Sequence, residues 1–118
     1  MLDFQNLKHN QEIKLKSPHE RRRYIFLKAR QRAGLITDLF YEPELPIFVE
    51  GREFTKLKPD FLYFTRDGKV VIEEVKGKVI DEFFWFRWRL LKTAYRDRVD
   101  IFRVVFNGRI IIEEERTR

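Results

Sequence analysis

A four-residue turn between two strongly apolar runs is the feature that most constrains how this chain folds. Residues 66–69, Arg-Asp-Gly-Lys, separate a run of aromatic and β-branched residues that ends at Thr65 from a second run that begins at Val70. Asp-Gly between two such runs is a strong signal for a β-hairpin. The sequence therefore predicts two antiparallel strands, covering residues 60–76, that meet at this turn.

The hairpin brings the start of its first strand next to the end of its second strand. Asp60 lies at that start, and Glu74-Val75-Lys76 lies at that end. Because side chains alternate along a strand, Glu74 and Lys76 share one face, whereas Glu73 points to the other and is expected to be structural or solvent-facing. Two carboxylates and an ammonium group thus meet at one end of the hairpin. This combination suits Mg²⁺ or Mn²⁺ and a phosphate substrate.

At these positions the sequence resembles the PD-(D/E)XK nuclease superfamily. Pro59-Asp60 and residues 74–76 match its motif, and the resemblance covers roughly residues 17–106. The segment around Glu20 looks like the helix that carries an additional acidic residue in that superfamily. The resemblance implies a restriction-endonuclease-like core and metal-dependent hydrolysis of phosphodiester bonds. The layout is similar to small phage-associated endonucleases and to Holliday junction resolvases.

The resemblance also implies roles for individual residues. The candidate catalytic residues are Glu20, Asp60, Glu74 and Lys76. Asp60, Glu74 and the carbonyl of Val75, with Glu20, would hold Mg²⁺ or Mn²⁺. Lys76 would orient or help deprotonate the attacking water, or stabilise the charge that develops on the phosphate.

Glu20 has a second interpretation, because it also fits a helix capping box. Ser17 is a suitable N-cap, Pro18 suits the first helical position, and the pattern Ser-x-x-Glu ends at Glu20. In such a box the carboxylate would bind the Ser17 amide rather than a metal. The helix is predicted to run to about Ala33 and to end at Gly34.

The charge of the chain favours a polyanionic partner, here DNA. Lys and Arg number 25 against 19 Asp and Glu, which gives a net charge of +6. Three arginines at the start of the first helix oppose the helix dipole, so phosphate contact explains them better than stability does. A second helix is predicted from Asp81 to about Asp97, with basic and aromatic residues interleaved on one side. The predicted DNA-binding residues are Arg21, Arg22, Arg23, Lys78, Trp85, Arg89 and Lys92.

The order of elements predicts an α/β domain with a mixed β-sheet flanked by helices, in the order α-β-β-β-α-β-β. One domain spans residues 1–118, with residues 1–16 as an N-terminal extension that includes at most a short strand at 12–16. Residues 50–53 are predicted to form a turn. Strands at 101–106 and 109–112 are joined at Asn107-Gly108. Residues 113–118 are predicted to be a charged tail.

The functional prediction is a Mg²⁺-dependent endodeoxyribonuclease, structure-selective in the manner of a Holliday junction resolvase. Such an enzyme needs two active sites, so a homodimer is expected. Two alternatives stay open: a non-specific or nicking nuclease of the same fold, and a basic nucleic-acid-binding module without catalysis. The chain has no cysteine, which excludes disulfides and thiolate metal sites. Without a signal-peptide pattern or an apolar run of membrane-spanning length, an intracellular location is expected: cytoplasmic, in the host if the protein is viral.

Overall fold

A computed structural model describes residues 3–78 and 80–116 of the chain. Two α-helices follow a short 3₁₀ helix at Phe4–Asn6: α1 is Pro18–Arg32 and α2 is Glu82–Tyr95. The strands β1 to β7 are Ile36–Tyr41, Leu45–Val49, Arg52–Leu57, Phe61–Thr65, Val70–Lys76, Ile101–Phe106 and Arg109–Glu115. The predicted mixed α/β class is confirmed. No helix among the described residues is long and apolar enough to cross a membrane.

Five strands form the main sheet, in the order β1-β4-β5-β6-β7. The predicted hairpin is its centre, where β4 and β5 pair antiparallel from Phe61 opposite Glu73 to Phe64 opposite Val70. Strand β6 runs parallel to β5, and every other pair in this sheet is antiparallel. Parallel neighbours need a crossover connection. Helix α2 lies in the segment that joins β5 to β6, so it starts near the end of β5 at which the motif residues lie.

Alternation along the strands gives the sheet one apolar core on each face. On one face Leu62 and Ile72 pack with the buried stripe of α2. On the other face Phe61 and Val71 pack with Leu27 of α1. Each helix therefore covers one face, as the sequence predicts for a sheet flanked by helices.

The predicted element order lacks two of the observed strands. Residues 39–41 and 45–49 are predicted from the sequence as strand material interrupted at Pro43 and Pro46. The structure has two separate strands here, β1 and β2, and β3 begins at Arg52, inside the segment predicted as a turn. Only Glu50 and Gly51 have the positive φ of that turn, at 51° and 76°. Strands β2 and β3 form a two-stranded sheet of their own. Strand β3 is mostly exposed and carries no alternating apolar pattern, which is why sequence periodicity missed it.

The two terminal segments also differ from the prediction. Residues 113–115 belong to β7 and pair with β6, so they are not a frayed tail, whereas positions 117–118 lie outside the described residues. Residues 12–16 form no strand. The N-terminal segment instead packs on the domain: Phe4 is buried beside Tyr95, and the Asn10 side chain donates to the Tyr41 carbonyl at 2.7 Å. Positions 1–2 lie outside the described residues.

The buried face of α2 is rotated relative to the broad apolar arc that its sequence predicts, which consists of Phe83, Phe84, Phe86, Leu90, Leu91, Ala94 and Tyr95. Its buried residues are Phe84, Trp88, Leu91 and Tyr95. Phe83 and Phe86, which were predicted to be part of the apolar arc, are 67% and 61% exposed. Apolar residues occur almost all round this helix, so periodicity alone did not identify its buried face.

Candidate functional site

A cavity of about 660 Å³ lies where β4 begins and β5 ends. The N-terminal segment, α1, the residue after β1 and helix α2 all contribute to its wall. Its carboxylates are Glu20, Glu42, Asp60 and Glu74. Its cationic side chains are Lys16, Lys58, Lys76, Lys78 and Arg87. The four predicted catalytic residues, Glu20, Asp60, Glu74 and Lys76, thus line one space although they come from three distant parts of the sequence.

Asp60 and Glu74 form a hydrogen-bonded pair of carboxyl groups in this cavity. Asp60 Oδ2 also accepts a hydrogen bond from the Val75 N–H at 2.7 Å. Burial raises the pKa of Glu74 well above its usual range, and the nearby charge of Asp60 raises it further. Burial raises the pKa of Asp60 as well, against the Val75 hydrogen bond. In the absence of a cation, the pair is therefore stabilised by holding a proton.

Lys76 lies on the same face of β5 as Glu74, as strand alternation predicts. Its ammonium group sits 5.1 Å from the centroid of the Phe84 ring, at the start of α2. This cation–π contact orients the lysine at the cavity wall. The charge of the ammonium group acts on both Asp60 and Glu74.

Arg87 is a basic residue of the site that the sequence analysis missed. Its guanidinium lies 3.8 Å from Glu74 Oε1. Arg87 is three residues after Phe84 on α2, so both side chains project from the same side of the helix toward the end of β5. The sequence favours Arg89 and Lys92 as the basic residues of α2 at the site, but the rotation of the helix directs Arg87 toward Glu74 instead. Lys92 pairs with Glu114 on β7 at 3.0 Å.

Glu20 is not used as the second half of the predicted capping box. The Ser17 hydroxyl accepts a hydrogen bond from the Glu20 N–H at 3.1 Å, so the serine caps the helix. The Glu20 side chain is 5% exposed, and its Oε1 atom has no hydrogen-bond donor among the described residues. Burial raises the pKa of Glu20, opposed by the Tyr41 hydroxyl and reinforced by Asp60. This buried, incompletely satisfied oxygen is open to a ligand.

Glu42 is another carboxylate that the sequence analysis missed. It follows β1 with a positive φ of 46°, and its N–H donates to the Asp60 carbonyl at 2.9 Å. Its carboxylate pairs with Lys16 at 3.2 Å. Only the antiparallel pairing of β1 with β4 brings it to the site, and no local sequence signal predicts that pairing.

Gly77 allows helix α1 to approach the end of β5 closely. A Cβ atom at this position would lie 1.8 Å from Cδ2 of His19, so any larger residue forces the imidazole to move. The contact brings the start of α1, and with it Glu20, next to Lys76. The pattern Lys-Gly therefore has a packing reason in this chain.

The predicted DNA-binding residues are spread over several environments. Arg21 and Arg22 are exposed on α1, and Lys78 is exposed at the cavity rim. Arg23 is instead bound to the buried Glu73 through two hydrogen bonds, of 2.7 and 2.8 Å. Its guanidinium therefore serves the fold. The remaining predicted residues lie on α2, where Trp85 is half-buried against Phe84, Arg89 is exposed and Lys92 is paired with β7.

The donors in the cavity match a hard divalent cation in kind. Within residues 3–78 and 80–116, no group of three or more His, Cys, Asp or Glu side chains is arranged as a metal site. The available donors are nevertheless oxygens: the hydrogen-bonded carboxyls of Asp60 and Glu74, and the carbonyl of Val75. The N–H and C=O of a strand residue point to the same side, so the Val75 carbonyl faces Asp60. Glu20 adds a carboxylate with a free oxygen to the same cavity.

Comparisons with known proteins add no family to this description. No protein-family model matches the sequence, and no curated protein or solved structure matches it. The function is therefore inferred from the residues of the cavity and from the charge around it.

Proposed function

We propose that the protein is a metal-dependent DNA endonuclease of the PD-(D/E)XK type. The observation that supports this most strongly is the convergence of Asp60, Glu74 and Lys76 with the unsatisfied Glu20 in one cavity. Carboxylates that share a proton are costly to bury, and a structural role does not require them. Perturbed carboxyl groups in a concave, cation-rimmed space are typical of active sites.

In this proposal Asp60, Glu74 and the Val75 carbonyl hold the metal, and Glu20 completes the oxygen donors. A bound Mg²⁺ or Mn²⁺ would neutralise charge on the scissile phosphate and lower the pKa of a coordinated water. Loss of the proton shared by Asp60 and Glu74 prepares the pair for this role. Arg87 balances the charge of Glu74 and keeps that carboxylate oriented.

The cations of the cavity supply the remaining chemistry. Lys76 positions the attacking water or donates a hydrogen bond to the phosphate oxygen on which charge develops. Lys58 and Lys78 are exposed at the rim, where they attract the phosphate backbone before it binds. The rim lysines thus bind phosphates of the backbone in general, whereas Lys76 acts at the phosphate that is cut.

DNA is the proposed polyanion, and branched DNA is the proposed substrate class. The chain carries a net charge of +6, and α1 contains six Lys and Arg residues against Glu20 alone. Within the described residues both α-helices pack on the sheet, an arrangement that favours recognition of DNA shape. Symmetric cutting of a four-way junction requires two sites and hence a homodimer.

The decisive experiment is cleavage of an end-labelled four-way junction and a matched linear duplex, with Mg²⁺, Mn²⁺ or EDTA. Lys76→Ala and Asp60→Asn are expected to lower the cleavage rate by about 100-fold or more, because each removes a group of the reacting centre. The matched control is Lys69→Ala, which removes a lysine paired with Glu115 at the far end of the β4–β5 hairpin. It is expected to cut at the wild-type rate.

Each outcome separates the proposal from its alternatives. Cutting that needs the metal, is lost in both site variants and prefers the junction supports the whole proposal. Equal cutting of the two DNAs supports a nuclease but rejects selectivity for the junction. DNA binding without cutting, even with Mn²⁺, rejects the nuclease and favours a binding module. Circular dichroism of each variant confirms that the fold is retained.

A further inference from the structure

A second cavity, of about 290 Å³, adjoins the candidate site on the α1 side of the sheet. It is lined by His19, Arg22, Arg23, Phe26, Val105, Asn107 and Gly108. His19 lines both this cavity and the larger one, so the two spaces share a wall. The sequence analysis assigned no role to this pocket.

The aromatic wall of the second cavity is held in place by two cations. Phe26 is 46% exposed. The guanidinium carbons of Arg23 and Arg30 lie 4.8 and 5.4 Å from the centroid of its ring. Arg23 is itself fixed by the buried Glu73. The ring is therefore a positioned, solvent-accessible aromatic surface with the buried Val105 beside it.

The polar wall of the second cavity is tied to the reacting end of β5. Asn107 sits in the β6–β7 turn with a φ of 50°, and its N–H donates to the Lys76 carbonyl at 3.0 Å. Its side chain, exposed at the pocket, can both donate and accept hydrogen bonds. Arg22, another lining residue, adds an exposed guanidinium. A ligand in this pocket thus lies one residue away from the backbone of the proposed catalytic lysine.

We propose that the second cavity binds one unpaired nucleobase of the DNA substrate, next to the phosphate that is cut. The proposal rests on the nuclease function proposed above. An exposed aromatic ring offers stacking, an amide offers hydrogen bonds to a base edge, and the exposed Arg22 favours a ligand attached to phosphates. A base inside a duplex is stacked and paired on both sides, so it cannot enter such a pocket without being extruded.

This pocket specifies which feature of branched DNA the protein recognises. A flap, a gap or an unstacked branch point supplies an unpaired base beside a duplex, whereas a linear duplex does not. Binding of that base in the second cavity places the neighbouring phosphate in the larger cavity, because His19 separates the two by a single side chain. Selectivity for unpaired nucleotides then follows without a sequence-reading element.

The test measures binding without cutting, in EDTA, with a flapped DNA and a linear duplex. The flap carries 2-aminopurine, a fluorescent adenine analogue, at its first unpaired position, and stacking on Phe26 is expected to quench it. Phe26→Ala is expected to abolish the quenching and to weaken flap binding by roughly 5- to 150-fold, with little change for the duplex. Phe86→Ala is the matched control, since this phenylalanine is also exposed but lies on α2.

A second variant guards against a folding defect in the first. Asn107→Gly removes the amide but keeps a residue that tolerates the positive φ, and it is expected to weaken flap binding more than duplex binding. Equal losses on both DNAs, or quenching that survives Phe26→Ala, would overturn the base-binding pocket. Because these measurements need no cleavage, they are independent of the cutting assay. If the protein cuts DNA but shows no Phe26-dependent quenching, the base-binding pocket is rejected and the proposed nuclease function is retained.

Discussion

Two adjacent glutamates on β5 have opposite chemistry because they point to opposite faces of the sheet. Glu73 is 0% exposed and lies on the α1 face, where it receives hydrogen bonds from Arg23, Tyr63 and Arg103. Burial opposes its charge, but the two guanidinium groups and the Tyr63 hydroxyl hold its pKa below the usual range. Glu74 faces Asp60 and has a raised pKa. A one-residue step thus separates an ion-paired structural carboxylate from a carboxyl group that lines the candidate site.

The Glu73 cluster predicts a large loss of stability when its charge is removed. Glu73→Gln leaves Arg23 and Arg103 in a largely buried setting without their common anion. We expect the free energy of unfolding, measured by urea denaturation, to fall by about 3–5 kcal/mol. Glu113→Gln is the control, because Glu113 also pairs with Arg103 at 2.5 Å but is half-exposed. It is expected to cost less than about 1 kcal/mol. Similar losses in the two variants would show that Glu73 is not the centre of this cluster.

At the scale of elements, α2 contributes to the site with one residue and to the core with the rest of its inner face. Phe84 and Arg87 reach the end of β5, and the buried stripe continues through Trp88 and Leu91. The helix begins at the cap formed by Asp81, whose side chain accepts the Phe84 N–H at 2.8 Å. This cap sets which residues face the sheet, and therefore which basic residue meets Glu74.

Arg87 and Arg89 give a direct test of that geometry. We expect Arg87→Ala to lower the metal-dependent cleavage rate by about 10- to 100-fold, because Glu74 loses its positive neighbour. Arg89→Ala, on the exposed side of the same helix, is expected to change the rate less than about threefold, since each exposed contact is worth little. Single-turnover cleavage of one branched DNA measures both. A larger loss for Arg89 than for Arg87 would restore the prediction from the sequence and reject this role for Arg87.

Local signals predicted some elements well, and pairing between distant segments explains the failures. The turns at 66–69 and 107–108 and the caps at Ser17 and Asp81 were predicted correctly, because each depends on a few neighbouring residues. Strand β3 was missed because a two-stranded sheet with an exposed face needs no apolar periodicity.

The same limit applies to the site. Strand alternation predicted correctly that Glu74 and Lys76 share a face at the end of the hairpin, next to Asp60. The positions of Glu42 and Arg87 depend on how β1 and α2 pack against that end, which the sequence does not encode locally. Arg23 was assigned to DNA because its partner, Glu73, is fifty residues away in the chain.

At the scale of the whole molecule, the buried carboxyl groups of the cavity lower the stability of the protein at neutral pH. The fold buries Glu74 against Asp60 and leaves an oxygen of Glu20 without a donor in the described part of the chain. The folded protein holds the Glu74 proton more tightly than the unfolded chain does, because a glutamate in the unfolded chain has a pKa near 4.5. Stability therefore falls as the pH rises above about 4.5 toward the raised pKa of Glu74. If the proposed metal binds, it replaces the proton and is expected to reverse this loss.

Thermal unfolding with and without Mg²⁺ tests both the cost of burying Glu74 and the proposed binding of a cation there. Without metal at neutral pH, Glu74→Gln is expected to be more stable than the wild type by roughly 1–2 kcal/mol, because the amide is neutral at every pH and avoids the cost of protonating Glu74 beside Asp60. With Mg²⁺ the wild type gains stability in proportion to the logarithm of the metal concentration above its Kd, and the variant does not. Glu44→Gln, which removes an exposed glutamate near Lys56 and Lys58, should keep the full response to Mg²⁺. An equal Mg²⁺ response in Glu74→Gln would mean that the cation binds elsewhere. If Glu74→Gln is less stable than the wild type without metal, the carboxyl pair stabilises the fold, which would contradict a role in metal binding.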